Sequence, residues 1–112
     1  MGKRGDVLVA RRRLGFGTEG RPEHFVVVQS DHLALETVLV VPLDSDHPHY
    51  EDNPVVVRVT AKEAGVDRPQ NALAYLVTAA SWERFDDGVV GRLRPVSMAL
   101  LDRALAVAQD LA

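Results

Sequence analysis

The chain has 112 residues, 46 % of them hydrophobic, a net charge of −3 at pH 7 and no cysteine. That size and apolar content predict one folded domain over residues 1–112 with a modest core. The missing cysteines exclude disulfides, thiolate metal sites and a cysteine nucleophile, and the net charge makes no global case for nucleic-acid binding.

The first six residues carry three charges, and the apolar run that follows, Val7–Ala10, is too short for a secretion signal. No stretch approaches the roughly 20 apolar residues of a membrane helix. We therefore expect a cytoplasmic protein with no membrane partner. Asp6-Val7-Leu8-Val9-Ala10 reads as a first strand. Arg11–Arg21, with Gly15, Gly17 and Gly20, reads as a mobile polar loop. Phe25–Gln29 and Thr37–Val41 are strands with near-continuous apolar runs, the second expected to stop at Pro42. Asp44–Pro54 is polar and holds two prolines, so a loop is expected there. Val55–Val59 is another strand, after which Thr60 and Glu63 have capping-box spacing for a single helical turn before Gly65. Asn71–Phe85 suits helix by its alanines and strand by Tyr75-Leu76-Val77-Thr78. From Pro95 onward the spacing of Leu101, Ala104, Leu105, Ala108 and Leu111 predicts a helix, with Ser97 as a candidate cap. Several strands followed by one helix predict a mostly β, α+β protein: a small antiparallel barrel with a helix packed against it.

Charge is unevenly placed. Residues 1–22 hold six basic and two acidic side chains, a net of +4, whereas residues 23–63 have a net of −6. A local basic patch on an acidic body fits that distribution, as does an ordinary solvated surface. Arg11, Arg12 and Arg13 are the densest cationic run. His47, His49, Glu51 and Asp52 match no standard ligand spacing, so no metal site is expected. Gly15 and Gly17 lack the βαβ setting of a dinucleotide fingerprint. Tyr75, Trp82 and Phe85 are candidates for base stacking or a peptide groove, though core packing is the commoner role of sparse aromatics.

Several local sequences, in order, resemble the MazF/PemK toxins: Lys3-Arg4-Gly5-Asp6 before the first strand; Gly17-Thr18-Glu19-Gly20-Arg21-Pro22 before the Val-rich strand ending Val28-Gln29-Ser30-Asp31; Val40-Val41-Pro42-Leu43-Asp44-Ser45; and Gly91-Arg92-Leu93 before the helix. The resemblance covers nearly the whole chain. It implies an SH3-like barrel with a C-terminal helix, a homodimer, an antitoxin peptide as partner, and sequence-preferring endoribonuclease action on single-stranded RNA without metal or other cofactor. It departs at two points. Counted back from Gln29-Ser30-Asp31, the family's catalytic Arg-Pro falls on Glu23-His24, two residues after Arg21-Pro22. The family's catalytic threonine falls on Asp44, with Ser45 next.

Cleavage of this kind uses the ribose 2′-hydroxyl as nucleophile, a base to take its proton and a cation to stabilise the phosphorane. Arg21 is the candidate cation, because a guanidinium grips phosphate with two donors. Asp44 or His24 is the candidate base, and Ser45 a candidate hydroxyl. Asp44 as a turn residue and His24 as a half-buried strand histidine are the structural alternatives. Arg11, Arg12, Arg13 and Gln29 are candidate RNA contacts. Two other readings stay open. CcdB toxins share the fold and bind gyrase without hydrolysis, but rely on C-terminal residues including a tryptophan, whereas this chain ends Gln109-Asp110-Leu111-Ala112 and its sole tryptophan is Trp82. The other reading is a catalytically silent binding module.

Overall fold

A computed structural model describes residues 2–16, 20–45 and 47–111. Seven antiparallel strands are joined in one curled sheet: β1 (Asp6–Val9), β2 (His24–Val27), β3 (Thr37–Ser45), β4 (Val56–Val59), β5 (Gln70–Leu73), β6 (Thr78–Ser81) and β7 (Gly91–Arg92). The order across it is β4-β5-β3-β2-β1-β7, with β6 paired to β3 beside β5. This half-barrel is completed by a single helical turn, α1 (Ala61–Ala64), and a long C-terminal helix, α2 (Pro95–Ala108), which packs on β4. Among the described residues no helix is long and apolar enough to cross a membrane.

Alternation divides the core. Val7, Val26, Val41, Ala72, Val59, Leu93 and the α2 residues Met98, Leu101 and Ala104 fill one side of the sheet. Leu8, Phe25, Val27, Val38, Val40 and Phe85 fill the other. There Phe25 meets Phe16 and Phe85 edge to face at 5.8 and 5.6 Å. Trp82 packs against this second cluster, its indole N–H donating to the Leu35 carbonyl at 3.0 Å, and Tyr75 is exposed.

Pro42 does not stop β3. The Leu39 carbonyl and N–H both face the β2 side, accepting from Val28 and donating to Gln29, so the backbone at Pro42, three residues on, faces the other way. On that side β6 covers residues 37–40 and β5 covers 43–45, so the missing N–H falls in the gap between two partners. The strand runs on to Ser45, which makes Asp44 a strand residue rather than a turn residue. Asn71–Phe85 resolves as β5 and β6 joined by the 3-10 turn Ala74–Leu76 and followed by a second at Trp82–Arg84, with Ala72 and Ala74 wholly buried in the core.

Helix α2 departs from expectation at both ends. Arg94 occupies the cap position, while Ser97 lies inside the helix and is buried. The cap is supplied by Glu63 of α1, whose carboxylate accepts from the Arg94 N–H at 2.9 Å and closes a capping box with Thr60. At the other end the helix stops at Ala108, and Leu111 is exposed rather than part of the apolar stripe. Glycines let α1 meet β7: a Cβ on Gly91 would lie 2.2 Å from the Glu63 carbonyl, and one on Gly65 2.1 Å from the Val90 carbonyl.

Candidate active site

A cleft of about 450 Å³ opens where three pieces of chain converge: the β1–β2 loop, the end of β3, and the segment from α1 into β5. Arg21, His24, Asp44 and Ser45 all line it, as does Arg13. Four candidate catalytic residues, 24 positions apart along the chain, thus share one cavity. Antiparallel pairing brings them together, with His24 opposite Leu43 in the β2–β3 register and Asp44 and Ser45 opposite Asn71 and Gln70 in β5.

The loop that carries Arg21 is built on a buried carboxylate. Glu23 accepts from the backbone N–H groups of Leu14, Gly15 and Phe16. Arg13 lies 4.0 Å from the same carboxylate and donates to the carbonyls of Arg21 at 2.7 Å and Phe16 at 3.0 Å. The described part of the loop is therefore tied to the Glu23 carboxylate and the Arg13 guanidinium; Gly17, Thr18 and Glu19, which belong to the resemblance, lie outside the described residues. Arg21 is exposed at the mouth, and among the described residues nothing holds its guanidinium.

His24 is half-buried at the start of β2. Burial lowers its pKa from 6.5, opposed in part by a hydrogen bond with the Pro22 carbonyl. The imidazole is therefore neutral at physiological pH and able to take a proton. The two carboxylate oxygens of Asp44 are both engaged: Oδ1 accepts from the Ser45 N–H at 3.0 Å and Oδ2 from the Tyr50 hydroxyl at 2.8 Å. Burial, reinforced by the bond to Asp44, raises the Tyr50 pKa, so the phenol stays a donor.

The other candidates lie elsewhere. Arg11 turns to the far side of the loop, donating to the Phe85 carbonyl at 2.8 Å and pairing with Asp87 at 3.6 Å. Arg12 is exposed and is not part of the cleft wall. Gln29 is buried, its side-chain oxygen accepting from the Leu39 N–H at 3.2 Å. Among the described residues no three His, Asp or Glu side chains converge as metal ligands. Sequence reasoning passed over Glu23, Tyr50 and Arg68. Arg68 forms the wall contributed by the α1–β5 segment, loosely paired with Asp67 at 3.6 Å. Its only signal in the sequence was a cation just before a strand.

Comparison with known proteins agrees with this architecture. The family model described as PemK-like, MazF-like toxin of type II toxin–antitoxin system matches residues 3–108. No curated protein sequence matches the chain. Among solved structures it is similar to an endoribonuclease in complex with its cognate antitoxin from a Mycobacterial species, at 18 % identity and a TM-score of 0.78, covering 100 % of this chain and 98 % of that one. It is similar to the Mycobacterium tuberculosis toxin MazF-mt6 at 16 % identity and a TM-score of 0.76, covering 96 % and 98 %. A MazE–MazF structure from Deinococcus radiodurans aligns at 15 % identity with a TM-score of 0.72, covering 99 % and 98 %. At such identities the structural likeness is one of fold, a curled antiparallel sheet with a C-terminal helix. The family match over nearly the whole chain goes further, and by it this protein belongs to the PemK-like, MazF-like toxins of type II toxin–antitoxin systems.

Proposed function

We propose that the protein is a metal-independent endoribonuclease that cuts single-stranded RNA with a sequence preference, and that its site is the cleft of Arg21, His24, Asp44 and Ser45. The observation that carries this reading is their convergence on one cavity, whose lining includes a half-buried imidazole, a guanidinium that no described residue holds and a carboxylate fixed by Tyr50. Family membership and the endoribonuclease among similar folds point the same way.

In this mechanism His24 accepts the proton of the 2′-hydroxyl. The 2′ oxygen attacks phosphorus and the P–O5′ bond breaks, leaving a 2′,3′-cyclic phosphate; a solvent proton completes the 5′-hydroxyl on the other fragment. Arg21 offsets the charge that develops on the phosphorane. Asp44 and Ser45 hydrogen-bond the ribose, with Asp44 held in place by Tyr50. These residues supply the base and the cation without a metal ion.

The toxin acts in the cytoplasm as a homodimer and is neutralised by an antitoxin peptide. Exposed Leu35 and Leu39, on and beside β3, and exposed Val96 and Leu100 on α2 offer apolar faces for these two partners. Similar folds include complexes with antitoxin.

The decisive experiment incubates antitoxin-free protein with a long single-stranded RNA in EDTA and maps new ends by primer extension. Discrete cuts are expected, with Arg21→Ala slowing them by about 10²–10³-fold, the scale set by loss of one donor to a developing oxyanion. Intact RNA from folded protein would overturn the reading in favour of a non-hydrolytic toxin.

A further inference from the structure

β3 leaves the cleft at Ser45 and enters, at His47, the 3-10 turn Pro48–Tyr50. His47 caps that turn, its Nδ1 accepting from the His49 N–H at 3.3 Å. The two imidazoles lie with ring centroids 4.0 Å apart, and the Tyr50 ring stands 4.1 Å from His49 in an edge-to-face arrangement. The Tyr50 hydroxyl donates to Asp44 Oδ2 at 2.8 Å, so the cluster of rings is tied by one hydrogen bond to a side chain of the cleft.

Core packing does not account for these rings. His47 and His49 are exposed and the turn buries no residue. An ordered cluster of π-faces beside a cavity that would hold a phosphate is what unpaired nucleobases stack on. The cleft itself supplies little attraction for a polyanion, because Arg13, Arg21 and Arg68 on its walls face Glu23, Asp44 and Asp67. Binding energy from outside the cleft is needed, and this turn is the adjoining surface with the chemistry to provide it.

We propose that His47 and His49 form a stacking platform for one nucleobase of the RNA strand, next to the phosphate held in the cleft, with Tyr50 locking the platform to Asp44. The inference rests on the endoribonuclease reading above. Recognition through a π-face requires a base free of its own neighbours, so the platform favours single strands over duplexes. It also lets the identity of the flanking base bear on which phosphate is cut.

The test uses the full chain and a single-stranded RNA containing one mapped cleavage site, together with its 2′-methoxy analogue, which binds but cannot react. The double variant His47→Ala/His49→Ala is expected to bind the analogue about thirtyfold more weakly, the middle of the range for one base–aromatic stack. KM should rise in parallel while kcat changes little, and the preference for the flanking base should relax. His49→Phe, which keeps a ring but has no titratable nitrogen, should retain most of the affinity. An alanine variant with unchanged Kd, KM and cutting pattern would overturn the platform while leaving the endoribonuclease reading intact, and so would a phenylalanine variant as weak as alanine. A wild-type protein that neither binds the analogue nor cuts the RNA would overturn both.

Discussion

His24 has two demands placed on it by its position. As the first residue of β2 it keeps strand geometry opposite Leu43, and as a cleft residue it faces solvent on one side. Burial lowers its pKa below 6.5, which fixes the sign of the pH dependence. As a base it works only when unprotonated, so kcat/KM should rise with pH through a midpoint below 6.5 and then level off, and the rise should disappear in His24→Ala. A rate profile between pH 4.5 and 8 checks this, and a midpoint above 6.5 would assign the base to another group. Arg21, His24, Asp44 and Ser45 were singled out in the sequence because the resemblance to the MazF/PemK toxins sets them at or beside the family's catalytic Arg-Pro and threonine, and all four line one cleft. Glu23 and Tyr50 were not, because they act through other groups. Glu23 organises three backbone N–H groups of a loop without periodicity, and Tyr50 reaches Asp44 from a 3-10 turn that no apolar pattern announces.

At the level of elements, Glu63 joins two helices and the sheet edge. Burial alone would push its carboxyl up, but the Ser97 hydroxyl, the Thr60 N–H and the N–H and guanidinium of Arg94 outweigh it and bring the pKa down to about 2. Because the folded value lies below the unfolded one, the contribution to stability is complete above pH 4.5 and is lost as pH falls from there towards 2. A depression of that size corresponds to about 3 kcal/mol. Glu63→Ala should therefore lower Tm clearly at pH 7, with the gap from wild type narrowing as the melts are repeated down to pH 3. The adjoining backbone contact is equally specific. Gly91→Ala places a methyl against the Glu63 carbonyl and should cost at least about 2 kcal/mol, seen as a lower urea midpoint with an unchanged slope. The capping box was readable from Thr60 and Glu63 alone. That the same carboxylate caps α2, thirty-one residues on, was not, since a tertiary cap leaves no local spacing to find. Pro42 misled for a related reason: whether a proline breaks a strand depends on which neighbour its nitrogen faces, and here it faces none.

For the molecule as a whole, the succession of β1 to β4 along the chain and the placement of α2 followed from apolar periodicity, whereas the order of strands across the sheet and the pairing of β3 with two successive partners are properties of the assembled sheet. The charge balance has a measurable consequence. With Arg13 committed to its loop, Arg21 and Arg68 are the cations left to meet phosphates in the cleft, so the slope of log K against log salt for single-stranded RNA should be shallow, about −1.4. Filter binding between 50 and 300 mM salt would measure it, and a slope several times steeper would mean that further cations, such as Arg11 and Arg12, also engage the strand.

The pairing of β1 with β7 also orders events in time. Asp6 pairs with Arg92, 86 positions away, and the Gly5 carbonyl accepts from Leu93. Pairings that span most of a chain form late and make folding slow. On a ribosome the first strand made waits for one of the last, and Arg21 and Arg68 cannot share a cleft until β5 has followed. On the endoribonuclease reading proposed above, a growing chain has no assembled cleft until its later strands are made, and the interval before β7 docks leaves time for a neutralising partner to arrive.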